Sequence, residues 1–230
     1  MASIFPPNPR TVSPASVHQH PASRFPDPLD CLGAHLLLEG AEVFSGVKPA
    51  NLISLVNRPR PCGRNLHDLW LNHGRELAAR LAPVRVTPLR NGERNLLLLC
   101  HDPHHLERHL AHSGIRALLA KAGYDVTGSA SGLLDELCRR MATGASFPHE
   151  IGLFLGYPAK DVAAFMGMVN LPFACQGPWK IYGDPARSLC LAAACRRSRA
   201  AMGCTRARCS SPFDCLGHAG CERPLFLSAT

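Results

Sequence analysis

Three groups of residues in this chain have the types and spacing for chemistry: an imidazole beside a carboxylate, an ammonium beside a phenol, and a run of thiols. His149 and Glu150 follow Phe147-Pro148, and read alone they could be an acid/base pair or the start of a zinc-protease signature. Position 153 is Leu, where that signature needs a second histidine one helical turn on, so the metal reading fails. With Pro148 as first helical residue, Glu150 falls in the first turn, where a carboxylate complements the helix dipole and caps free amides. The alternative is a ligand-binding or catalytic role for His149. Lys180 and Tyr182 stand two apart in an extended piece and project from one face, with Trp179 and Ile181 on the other. An ammonium next to a phenol suits a carboxylate or a phosphate. With His149, Glu150, Lys48 and Asn51 they would make a mixed polar site for a small anionic molecule, provided these distant segments converge.

The thiols Cys204, Cys209, Cys215 and Cys221, with His218 among them, could hold zinc or an iron-sulfur cluster. Their spacing is wider than the close pairs of structural zinc sites, and an unstructured thiol-bearing extension explains them as well. His101, His105, His109 and His112 have near-helical spacing, and a solvated polar face accounts for the last three. No phosphate loop, dinucleotide fingerprint, nucleophile elbow or paired CxxC element occurs.

The scaffold that must position these groups reads as α/β, in the α+β sense. Seven prolines within the first 28 residues resist regular structure, so residues 1–28 are expected to be disordered. Residues 29–200 form the expected compact domain, and 201–230 a Cys-rich, unstructured tail. Asp30 offers a cap for a first helix, broken by Gly46 to Pro49 ahead of a strand over Leu52 to Val56. Asn65 caps a second helix bearing Trp70, which Pro83 stops. Asn91-Gly92 then predicts a type I′ hairpin turn between Val84–Arg90 and Arg94–Cys100. Leu96 to Leu99 is apolar on both faces and Pro88 cannot donate to a ladder, so the second of these strands is central and the first lies at an edge. The expected sheet is small, mixed and three-stranded, a split β-α-β unit with a hairpin, covered by helical segments at 106–110, 115–119, 133–141 and 162–169. Asp184-Pro185 starts a last helix.

Three stretches carry a family resemblance: Gly46-Val47-Lys48-Pro49-Ala50-Asn51-Leu52, Phe147 to Pro158 with Asp161-Val162, and Trp179-Lys180-Ile181-Tyr182-Gly183-Asp184. They resemble the bacterial domain-of-unknown-function 3793 family over residues 31 to about 197. The resemblance implies no activity. It implies only that a shared function would sit at the matched positions, and the Pro-rich start and Cys-rich end depart from the family pattern.

Composition bounds the rest. No apolar run approaches the roughly 18 residues that span a bilayer, and the first residues lack the basic start and continuous apolar middle of a secretory leader. A cytoplasmic protein without a membrane role is the expectation. The charge of +8 favours acidic partners. From Asp184 onward seven Arg face Asp184, Asp214 and Glu222, but with few stacking aromatics and no docking module, which argues against nucleic acid. The residues leave three classes open: a protein that binds, and could turn over, a small anion; a metal or redox protein built on the tail; and a scaffold for a protein partner.

Overall fold

A computed structural model describes residues 25–143, 146–206, 209–214 and 216. Two helices come first, α1 (Pro28–Glu39) and α2 (Ala41–Phe44), then β1 (Ala50–Val56), α3 (Leu66–Arg80), β2 (Arg85–Asn91) and β3 (Asn95–His101). A helical stretch follows: α4 (Pro103–Leu110), α5 (Ser113–Lys121), α6 (Ala130–Thr143), α7 (Ile151–Phe154) and α8 (Ala159–Phe165). The hairpin β4 (Phe173–Gln176) and β5 (Lys180–Tyr182) leads to the long helix α9 (Ala186–Arg206).

The main sheet has the order β1-β3-β2. Both ladders are antiparallel, so β1 and β2 run parallel to each other on either side of β3, joined by α3, which is the split β-α-β arrangement. β3 is central because both of its faces are apolar. Leu96, Leu98 and Cys100 enter one core with Ile53, Leu55, Val86 and helices α1 and α3; Leu97 and Leu99 enter a second with Leu106, Leu119, Leu137 and Phe154 from helices α4 to α7. The sheet is therefore a partition between two cores, and burying both faces of one strand makes each of them depend on β3.

Several local expectations shift, each for a physical reason. The cap of α1 is Asp27, whose Oδ1 accepts from the Asp30 amide at 2.9 Å, because Pro28 with its fixed φ opens the helix. Phe25 is buried in the first core and its carbonyl accepts from Arg64 at 2.7 Å, so chain within the first 28 residues joins the packed unit. Asn91-Gly92 does not form the turn. A register shift between Pro88 and Arg90 moves the turn to Glu93-Arg94, where Gly92 N–H donates to Asn95 O at 3.0 Å and Asn57 N–H donates to Arg94 O at 2.8 Å. Glu150 makes no capping bond to α7. Its carboxylate is taken by Tyr124 and Arg140 instead. The boundary expected at residue 200 falls inside α9, and Phe213 packs against Gly33 and beneath the Arg80 guanidinium. Among the described residues no helix is long and apolar enough to cross a membrane.

Candidate functional site

Gly46 adopts φ +72°, which ends α2 and turns the chain so that the amides of Val47 and Lys48 both donate to Glu42 O, at 2.8 and 3.0 Å. Lys48 is thereby laid over the acidic residue of α2. Its ammonium donates to Asn51 Oδ1 at 2.5 Å, and Asn51 Nδ2 donates to Glu42 Oε2 at 2.6 Å and to Glu39 O at 2.9 Å. From α9, Arg199 Nε donates to Glu42 Oε1 at 2.7 Å. All of Lys48, Asn51 and Glu42 are buried. Burial lowers the Lys48 ammonium to about 8, and the nearby Glu42 only partly restores it. Burial also pushes the Cys195 thiol up, and the Cys100 thiol to about 12.

The three motif stretches meet here. Lys48 Nζ lies 4.7 Å from the centroid of the Tyr157 ring, and that ring stacks on Trp179 at 4.7 Å with 25° between planes. Gly156, at φ +75°, brings the chain so close to Pro49 that a Cβ there would lie 2.5 Å from Pro49 Cδ. Trp179 Nε1 then donates to Asp161 Oδ2 at 2.9 Å. Asp161, buried, also accepts from Ser188 Oγ at 2.6 Å, Lys160 Nζ at 2.7 Å and the Tyr182 amide at 3.0 Å. Burial alone would raise the Asp161 carboxyl, but these four donors outweigh it and hold the group below the usual carboxylate range. Asp161 thus ties α8, β5 and α9 together.

A second locus opens on the surface between the end of α6 and the 147–150 turn. It is a cleft of about 470 Å³ lined by Arg139, Arg140, Phe147, His149, Glu150 and Met166, among others. Arg140 forms its floor: Nε donates to Glu136 at 2.7 Å, Nη1 to Glu150 at 3.1 Å and to Ala122 O at 2.8 Å, and Nη2 to Gly123 O at 2.7 Å. The guanidinium also stacks 3.9 Å from the Tyr124 ring centroid. Tyr124 donates to Glu150 Oε1 at 3.2 Å, and burial, followed by that carboxylate, pushes its phenol up. His149 packs edge-on against Phe165 at 5.1 Å and meets Phe147 at 6.0 Å. Its buried Nδ1 has no hydrogen-bond partner among the described residues.

The residues singled out from sequence divide among three places. Lys48 and Asn51 belong to the buried Glu42 network, His149 and Glu150 line the cleft, and Lys180 and Tyr182 share the half-buried face of β5. One aromatic ring links the last two. Lys180 Nζ sits 5.5 Å from the centroid of Phe165, the ring that His149 also touches, and Tyr182 packs edge-on against Phe173. Spacing in the sequence had no means of singling out Glu42, Arg199 or Arg140. Tyr157 and Asp161 lay within the quoted motif, where an aromatic and a carboxylate in an apolar run were the available clue. Of the tail thiols, Cys204 is exposed on α9 and Cys209 half-buried; Cys215 and Cys221 lie outside the described residues. Among the described residues no group of three or more His, Cys, Asp or Glu side chains could hold a metal ion. His109 instead bonds Leu153 O at 2.8 Å and His112 accepts from the Gly114 amide at the start of α5. Burial lowers His101, His105 and His109.

The convergence of the three stretches gives a structural reason for their joint occurrence, and the model of one family spans them all, matching residues 36–214. The chain belongs to the DUF3793 family, proteins of unknown function. The matched region runs past the residue 197 expected from the motifs and takes in all of α9 and Phe213. No curated protein and no solved structure matches the chain. Within this DUF3793 chain the Lys48–Tyr157–Trp179 stack and the Asp161 hub draw on all three motif stretches.

Proposed function

We propose that this DUF3793 protein binds a small anionic molecule in the cleft between α6 and the 147–150 turn. The observation that carries the reading is the buried, unpartnered Nδ1 of His149 in a residue that lines the cleft beside Arg139 and Arg140. A buried polar atom left without a partner costs of order 1–3 kcal/mol, and a ligand that bonds it recovers that cost. The volume falls in the range of small-molecule sites. Arg140 is fixed by four bonds and a ring, so the floor is formed before any ligand arrives. Lys180 Nζ, 5.5 Å from the centroid of the Phe165 ring that His149 also touches, places a further positive charge near the cleft.

The test is an NMR titration of the histidine ring resonances with inorganic phosphate, succinate, acetate and phenylacetate, repeated with His149→Ala to assign the ring. Saturable movement of the His149 resonances by at least one probe is the expected result. Resonances that stay still for every probe at tens of millimolar would end the reading.

A further inference from the structure

The class of anion follows from the charges and walls of the same cleft, so this inference rests on the anion-binding reading. Arg139 and Arg140 supply two positive charges, but Glu136 bonds both of them and Glu150 bonds Arg140 again. The two positive charges are thus largely balanced by carboxylates already in place, which leaves little surplus charge for a ligand with two negative charges. Arg140 has its Nε, Nη1 and Nη2 all engaged. Arg139 spends Nε and one side of Nη2 on Glu136, while its Nη1 has no partner among the described residues. The outer Nη1/Nη2 edge of that guanidinium is a planar fork, and it matches one carboxylate in bidentate geometry. The rest of the lining joins the apolar Phe147, Pro148 and Met166 to the hydroxyls of Thr143 and Ser146, with Phe165 against His149.

We infer that the cleft takes a small monocarboxylate with an apolar, preferably aromatic, body. The carboxylate sits on the free edge of Arg139 within reach of His149, and the body lies against Phe147 and Met166. An aromatic body has the further advantage that offset or edge contacts with Phe147 add to the burial of its area.

Calorimetric titration of the full chain with phenylacetate, its neutral amide, acetate, succinate and inorganic phosphate decides the matter. Phenylacetate should bind more tightly than any of the other four. Arg139→Gln, a change at an exposed side chain, should weaken phenylacetate roughly ten- to a hundred-fold, the worth of one charged hydrogen-bonded contact, with the melting temperature unchanged. Tighter binding of phosphate or succinate would overturn the monocarboxylate class and leave the anion reading standing. Equal binding of the amide, or undiminished binding to Arg139→Gln, would overturn it by showing an apolar groove without a carboxylate seat. Absence of binding by every anion would sink both.

Discussion

Lys48 and Tyr157 stand 109 positions apart in the sequence, yet the ammonium of one lies 4.7 Å from the ring centroid of the other, with Trp179 stacked on that ring. A cation over a ring contributes about 0.5–2 kcal/mol, more when desolvated, and an aromatic pair about 0.5–1.5 kcal/mol beyond its buried area. Tyr157→Leu keeps apolar bulk and loses both contacts, so it should cost about 1–3 kcal/mol in urea unfolding. Tyr157→Phe keeps both and should cost clearly less. Equal losses for the two substitutions would show that the ring interactions contribute little.

The Lys48 ammonium makes stability depend on pH in a fixed direction. Its folded pKa, about 8, lies below the ordinary 10.5, so between these values the unfolded chain binds more protons than the folded one. Stability attributable to Lys48 therefore rises as pH climbs from 8 to 10.5 and is flat below 8. The unfolding free energy of the native chain minus that of Lys48→Met isolates this contribution, since other titrating groups are common to both. It should increase across that window by an amount on the order of 3 kcal/mol. A difference that stays constant or falls would mean that the amine is solvated or held charged by Glu42.

How much of this was legible in the sequence depended on whether a local pattern recorded it. Leu96 to Leu99 showed its central position directly, because four consecutive leucines must be buried on both faces, and the order β1-β3-β2 followed. The turn did not, since Asn91-Gly92 has the right dipeptide but Asn57, far away in sequence, binds the Glu93 and Arg94 carbonyls and decides the register. β4 escaped because Phe173, Ala174 and Gln176 are exposed and show no alternation of burial. At the site, the motifs announced their own importance, but the pairing of Glu42 with Arg199 joins residues 157 positions apart and leaves no periodic trace. His149 was singled out and Glu150 with it; that Glu150 serves Tyr124 and Arg140 instead of a helix end required the packing of α6.

Asp161 offers a test in acid. Four donors converge on its carboxylate and keep its pKa depressed, so its contribution is complete above the ordinary carboxyl value of 3.8 and is lost as pH falls through the lower folded value. Asp161→Asn preserves shape but replaces one acceptor oxygen by a donor facing donors. It should cost about 3 kcal/mol or more at neutral pH, as expected for breaking a buried charged network. The gap between native and variant should narrow as pH is lowered below 3.8, measured by urea unfolding followed through Trp179 fluorescence. A gap that is independent of pH would assign the loss to packing alone.

Two glycines with nearly the same backbone separate strain from steric closure. Gly156 has φ +75° and Gly167 φ +72°, both in the left-handed region, but an added Cβ meets Pro49 Cδ at 2.5 Å in the first and nothing within 4 Å in the second. Gly167→Ala should therefore cost only the backbone penalty, about 1 kcal/mol. Gly156→Ala pays that penalty and must also push Pro49 and the start of β1 away from Tyr157, which moves Lys48 off the ring. Its loss should exceed that of Gly167→Ala by about 1–3 kcal/mol, the range found for overpacking. The same variant should shift the Trp179 emission, because Tyr157 can no longer keep its stacking distance. Equal losses with an unchanged spectrum would show that Pro49 yields freely, and that the close approach of the first two motif stretches is not what holds the Lys48–Tyr157–Trp179 stack together.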